Sequence, residues 1–458
     1  MFDVNENRLI LLSILVCCVL PASFPRIKAD AWIGVVHIKA DGTVDPLAAP
    51  IQRNGDIYTL TGNITSDTDG VWIQRSNMTL DGAGYTIQGS AAQNTAGIWM
   101  PMVSNVTIKN VKISAFSKCI SLEFSSNNSV RANEIRAAEW EGIWVYESSN
   151  NSITGNNITE NTAHTAGVWL TNFSEDNEVT GNTVTDCGNG ILVSVSSNRI
   201  IGNNVTSNKN GIWLQDTSNV TITENTIAGN EYGIWVEDSS NNTICHNSFV
   251  DNQHHVQTYG NVNVWDNGYP SGGNSWSDYS GVDVKNGLYQ NETGSDGIGD
   301  AIYVIDGTNT DHYPLMGTVQ GYNAPYFTPP LVPHSYNVTV ISNSTISDFA
   351  TPIWIEHPEV ISWIEFNVTG EQGTIGFCRI SFPTALMNGT YQVFVNGTQV
   401  AYTLLPCSNS TYSYLYFTYQ HSTQKVVITP EFPSFLIIPL FMTATLLAVI
   451  FCKRKHIV

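Results

Sequence analysis

Residues 211–250 read GIWLQDTSNVTITENTIAGNEYGIWVEDSSNNTICHNSFV, and the stretch nearly says the same thing twice. Each copy opens Gly-Ile-Trp, passes through a polar Ser/Asn turn, and reaches an Asn followed two positions later by an apolar residue. Internal repeats decide a fold before local propensity does. Followed outward, Gly-apolar-Trp units open at Gly70, Gly97, Gly142, Gly167, Gly211 and Gly233. Weaker copies open at Gly190, with Leu192 in the Trp place, and at Cys119, with Ser121 there. The steps are 27, 22, 23, 25, 23, 21 and 22. A second column runs beside the first: Asn110, Asn133, Asn156, Asn182, Asn203, Asn225 and Asn247. Two positions on, each is followed by an apolar residue except Asn110, which is followed by Lys112.

A period near 22 residues excludes the common helical repeats, which need longer stretches of 3.6-residue periodicity. Within a unit the apolar residues alternate, as in Ile143 and Val145, which is the periodicity of short strands. Short strands joined by Asn/Gly/Ser corners describe one coil of a parallel β-helix. Such a coil buries its apolar residues only by stacking on its neighbours. The Asn column is expected at left-handed corners, with each amide bonded to the Asn of the next coil, about 4.8 Å away.

The chain has 458 residues, enough for two domains, and a net charge of −20 with only 19 Lys and Arg. No basic stripe is present, so nucleic acid is not an expected partner. Residues 1–29 are expected to be a signal peptide around the apolar run LILLSILVCCVL. Residues 30–69 read as an N-terminal cap or lead-in. Residues 70–316 read as the β-helix, with an irregular closing segment at 266–316. Residues 317–334 read as a Pro-rich linker, and 335–430, with their alternating strands and Asn-Gly turns, as a small β-sandwich. SFLIIPLFMTATLLAVIFC, residues 434–452, would span about 28 Å as a helix and is expected to be a transmembrane anchor. Lys453, Arg454 and Lys455 follow it, so residues 453–458 form the cytoplasmic tail and the bulk of the chain lies outside the cell. The sequence therefore predicts an all-β protein: a parallel β-helix, a sandwich and a C-terminal membrane helix. Frequent Asn-X-Ser/Thr sequons, Asn157 and Asn204 among them, fit a glycosylated exterior surface. Cys378 and Cys407 are candidates for a disulfide.

The coils resemble those of the NosD-like group of right-handed β-helix proteins. The most specific stretches are WDNGYPSGGNSWSDYSGVD at 265–283 and GSDGIGDAIYVIDGTNTDHYPLM at 294–316, which resemble the closing segment of archaeal surface proteins of that group. PEFPSF at 430–435 resembles the anchor of archaeal exported proteins. The resemblance implies a domain associated with carbohydrate binding and sugar hydrolysis. Some relatives serve copper delivery; the Met/His clustering that copper favours is missing from this sequence, so that role is not carried over.

In Gly-Ile-Trp-Val the Ile and Val share one strand face and the Trp takes the other. Trp144, Trp169, Trp213 and Trp235 are therefore expected to point outward on stacked coils, with Trp72 displaced by one. They are the candidate ligand-binding residues, a stacking platform for a polysaccharide or cell-surface glycan. The bland alternative is a stripe covered by a neighbouring loop. Glu141, His164, Asp186 and Glu237 are the candidates for acid/base cleavage of a glycosidic bond, beside the reading of solvent-facing residues in an acidic protein. Glu139 and Glu231 stand near the same face. Cys245, His246, His254 and His255 match no standard metal spacing. Asp296 and Asp300 in SDGIGD are the candidate calcium ligands; they lack the full calcium-loop pattern, and a turn held by Asp and Gly accounts for them as well. No other cofactor is expected. The leading functional expectation is a membrane-anchored surface protein that binds carbohydrate or builds the envelope without catalysis; the alternative is a polysaccharide-cleaving enzyme on the same scaffold.

The topology has a direct check. Protease added to intact cells is expected to remove nearly all of the protein; a protected ectodomain would overturn the orientation.

Overall fold

The computed structural model describes residues 31–159, 166–328, 332–356 and 359–431. The expected signal peptide, anchor and tail, and the candidate His164, lie outside these residues. Three sheets of eleven, eleven and ten strands wind around one axis, each strand pairing with the equivalent strand of the next coil. Glu141–Tyr146, for example, pairs in parallel with Lys118–Glu123 on one side and Ala166–Thr171 on the other. This is the expected parallel β-helix. Its core is a stack of aliphatic columns; Ile120, Ile143, Val168, Ile191, Ile212 and Ile234 stand in register and are fully buried. The stretch expected as a lead-in is itself coiled, since Trp32–Ile33, Val36–Ile38 and Ile57–Leu60 each join a different sheet.

The Asn column forms a buried chain of side-chain bonds. The Asn133 amide donates to Asn156 Oδ1 at 2.9 Å, Asn156 to Asn182 at 2.9 Å, Asn182 to Asn203 at 3.0 Å, and so on through Asn225 and Asn247 to Asn274. Each Asn Oδ1 also accepts the backbone N–H of the Asn one coil before it, as Asn203 does from Asn182 at 2.9 Å. Two details differ from expectation. The left-handed residue is the one before the Asn, as at Gly155, Gly181, Gly202 and Glu224. Asn110 belongs to that outer column, with φ of 54°, and Val111 takes the inner slot, its N–H donating to Asn133 Oδ1 at 3.2 Å. Lys112, charged where its counterparts are apolar, was the sign of this one-residue offset.

The closing segment ends the solenoid chemically. Asn274 N–H donates to Asp311 Oδ2 at 2.7 Å, and Trp276 Nε1 donates to the same oxygen at 2.9 Å. Trp265 and Trp276 bury their rings over the last coil. The expected linker is instead part of the sandwich. Thr318–Thr328 and Val332–Ser342 pair antiparallel along their whole length, because alternating residues such as Ala324, Val338 and Val340 bury against the sandwich core. Two five-stranded sheets enclose that core. Cys378 and Cys407 are both free thiols. Cys378 points into the core, whereas its neighbour Arg379 points the other way, towards the face where Cys407 lies.

Asn182→Ala removes an acceptor and two donors from the buried ladder. Each unpaired group costs about 1–3 kcal/mol, so a clear drop in urea midpoint is expected, while Asn157→Ala, on the exposed side of the same corner, changes it little.

Candidate functional site

The glycine that opens each repeat shapes the outer face. A Cβ on Gly211 would lie 2.5 Å from the carbonyl oxygen of Gly233, and one on Gly167 would lie 2.5 Å from Val184 Cγ1 in the core. Gly and the following Ile are both buried, so two successive residues turn inward and only Gly fits the first place. The residue before Gly and the Trp after Ile then both emerge on the same outer face. The geometry bears this out: Lys118 Nζ lies 3.2 Å from the centre of the Trp144 ring, and the Tyr232 and Trp235 rings are 4.8 Å apart.

The face thus carries columns in register. The middle one contains Trp72, Trp99, Ser121, Trp144, Trp169, Leu192, Trp213 and Trp235. Trp72 is in line, stacked on Trp99 at 4.5 Å and 27°, not displaced. Trp72 and Trp99 extend the column beyond the four expected members, and the Gly-Val-Trp and Gly-Ile-Trp units at Gly70 and Gly97 were the signal for them. All six indoles are half-buried. Their N–H groups face the protein: Trp169 donates to Ser194 Oγ at 3.2 Å, and the other five are buried without a partner. What reaches solvent is therefore ring carbon. The flanking columns are polar and aromatic, with Lys118, Glu141, Asn189, Asn210 and Tyr232 on one side and Glu123, Tyr146, Gln215 and Glu237 on the other.

Of the expected acid/base residues, Glu141, Asp186 and Glu237 do not converge, and His164 lies outside the described residues. Glu141 sits beside Trp144, only 4 % exposed, with Oε2 lacking a partner. Burial pushes its carboxyl up to about 7, against the opposing pull of the Lys118 ammonium. Burial likewise lowers the Lys118 ammonium, with Glu123 and Glu141 opposing. Glu237 is half-buried on the face but four coils from Glu141, about 19 Å at 4.8 Å per coil. Two carboxyls share one glycosidic bond at about 5–9.5 Å. Asp186 is exposed at a left-handed corner off the sheet.

The metal candidates are each engaged by backbone donors. Asp300 Oδ1 accepts the N–H of Lys285 at 3.0 Å, and Asp296 Oδ1 accepts that of Ile298 at 3.1 Å. Both carboxylates thus serve as turn clamps. Among the described residues no group of three or more His, Cys, Asp or Glu converges on a metal position.

Residues 162–281 match the family described as periplasmic copper-binding protein (NosD), and residues 51–205 match the right handed beta helix region. The coils are thus a NosD-like, right-handed parallel β-helix. No curated protein matches the chain. Among solved structures, a mutant of the periplasmic alginate epimerase AlgG is 16% identical, with a TM-score of 0.37 over 50% of this chain and 67% of that one. Dettilon tailspike protein is 12% identical, with a TM-score of 0.34 over 87% of this chain and 85% of that one. Pectate lyase Pel9A is 13% identical, with a TM-score of 0.31 over 47% and 70%. The described Cys and His side chains within 162–281 that could hold copper are not gathered for it. Burial holds the Cys245 thiol up at about 11, which disfavours the thiolate a metal needs. His246 Nε2 is bonded to Ser271, His255 to Ser277 and Asn252, and His254 stacks on Tyr232.

The raised Glu141 carboxyl makes a signed prediction. The folded state holds this proton more tightly than the unfolded chain, so Glu141 costs stability as pH rises from about 4.5 to about 7. Glu141→Gln should be more stable than the wild type at pH 8, by on the order of 2 kcal/mol, and the gap should close below pH 4.5. Urea melts at pH 4, 6 and 8 give the comparison; a gap independent of pH would show that Glu141 titrates normally.

Proposed function

We propose that this protein is a surface-exposed, membrane-held β-helix that lays a polysaccharide along its Trp face and binds it without cleaving it. One observation carries the reading: the indoles stand at one strand position in three pairs on neighbouring coils, divided by Ser121 and Leu192, and offer carbon faces outward beside polar columns. Sugar rings present apolar C–H faces to aromatics and hydroxyls to polar neighbours, and a sugar repeat of about 5 Å is close to the coil spacing of about 4.8 Å. Residues 434–452 would supply the anchor and place the coils outside the cell.

Cleavage is the second reading. Glu141, protonated in part at neutral pH, is the group that favours it. The separation of Glu141 from Glu237 and Asp186 favours binding alone.

A glycan array on the purified protein, followed by product analysis on every hit, separates the two. Each stacking contact contributes about 0.5–1.5 kcal/mol by analogy with aromatic pairs. Trp213→Ala combined with Trp235→Ala is therefore expected to weaken binding well beyond either change alone, with the melting temperature little altered. Lost stability with intact binding would mean that the indoles only pack.

A further inference from the structure

Over Trp144 the protein seats a cation of its own. Lys118 Nζ lies 3.2 Å from the centre of the ring, with Glu141 and Glu123 acting on its charge and the Tyr146 ring 5.0 Å from Trp144. The negative face of the indole and the two carboxylates oppose the cost that burial puts on this ammonium.

Four coils on, Trp235 has comparable surroundings with a different residue in the lysine's place. Three rings splay around it: Trp213 at 6.1 Å and 58°, Tyr232 at 4.8 Å and 80°, and Tyr259 at 5.7 Å and 50°. Glu237, two residues along the strand, supplies a half-buried carboxylate on the same face. The register position that Lys118 holds relative to Trp144 belongs here to Asn210. Asn210 is 7 % exposed; its amide nitrogen donates to Asn189 Oδ1 at 2.8 Å, and its own Oδ1 is buried with no partner. Among the described residues the cation–ring pairs are Arg53 with Tyr58, Lys118 with Trp144 and Arg379 with Tyr414, so none falls on Trp235. Lys209 is exposed at the corner before Asn210.

We propose that the Trp235 end of the face is a subsite for the protonated amine of an amino sugar within the bound polymer. The inference rests on the polysaccharide reading above and names its substrate class. The ammonium would lie against the Trp235 ring as Lys118 Nζ lies against Trp144, with Asn210 Oδ1 and the Glu237 carboxylate as its acceptors. The overall charge agrees: with 39 Asp and Glu against 19 Lys and Arg, the chain repels polyuronates and draws in polycations.

The test compares three soluble hexamers on the purified protein in mildly acidic buffer, which keeps the sugar amines charged: hexaglucosamine, its fully N-acetylated form and cellohexaose. Hexaglucosamine is expected to bind at least tenfold more tightly than the other two. Glu237→Gln should remove most of that preference. Asn210→Lys, which places a lysine where Lys118 stands over Trp144, should abolish it, and a melting curve on the same variant shows that the loss is not unfolding. Equal affinity for the three hexamers would overturn the subsite and leave the platform standing. A preference for hexaglucosamine that survives both substitutions would also overturn it, since bulk charge would then explain the effect. Failure of all three hexamers and of every glycan on the array would overturn the platform reading and this one with it.

Discussion

The fold depends on one arrangement: a buried Asn whose Oδ1 takes the backbone N–H and the side-chain amide of the coil before it. A tight corner leaves a peptide N–H facing inward with no strand partner, and a buried donor without an acceptor costs more than the bond itself contributes. The Asn133-to-Asn274 ladder answers this for each coil that it spans. Other corners use the same device: Asn208 to Asn230 to Asn252 at one, and Ser125, Ser148 and Ser174 at another. Because each Asn serves the coil before it, no coil is satisfied alone, and the core columns of Ile and Val are brought into register as a consequence.

A chain of this kind needs an end. The last ladder groups would face solvent or an apolar cap with unmet donors, and Asp311 and Asn309 meet them. Asp311 takes Asn274 N–H and Trp276 Nε1, and Asn309 takes Asn263 N–H and Trp265 Nε1. Burial pushes the Asp311 carboxyl up to about 7, so the closing group is held by its donors against a desolvation cost. The sandwich then seats on this closure through Arg379, almost wholly buried, whose guanidinium donates to the carbonyls of Asp296 and Pro270.

The solenoid was legible because its columns are local and repeated: the Gly-Ile-Trp and Asn spacings give sheet, register and inward face together. Errors arose where one residue decides a register. Asn110 fits the ladder by residue type, although Lys112 marks it as one place off. Residues 317–334 read as a linker because their prolines outweigh an alternation whose burial comes only from a sandwich core distant in sequence. The Trp column was legible, but the site around it was not. Lys118, Glu141, Asn210 and Tyr232 share a column because of the double inward turn at Gly, and plain two-residue alternation places them on the wrong side.

That double turn also explains why the outer face can vary while the coil stays constant. Gly and Ile at the turn are fixed by contact: a Cβ at Gly233 would meet His255 O at 2.5 Å. The residue before them touches no core column. Across successive coils that position runs Lys118, Glu141, Ala166, Asn189, Asn210, Tyr232 and His254, spanning cation, acid, amide and ring without altering the Ile column beside it. Stability and surface chemistry are thus written in neighbouring but separate columns. On the polysaccharide reading proposed above, the indole strip, interrupted at Ser121 and Leu192, would be the track, and the variable column would set, coil by coil, which substituent is met.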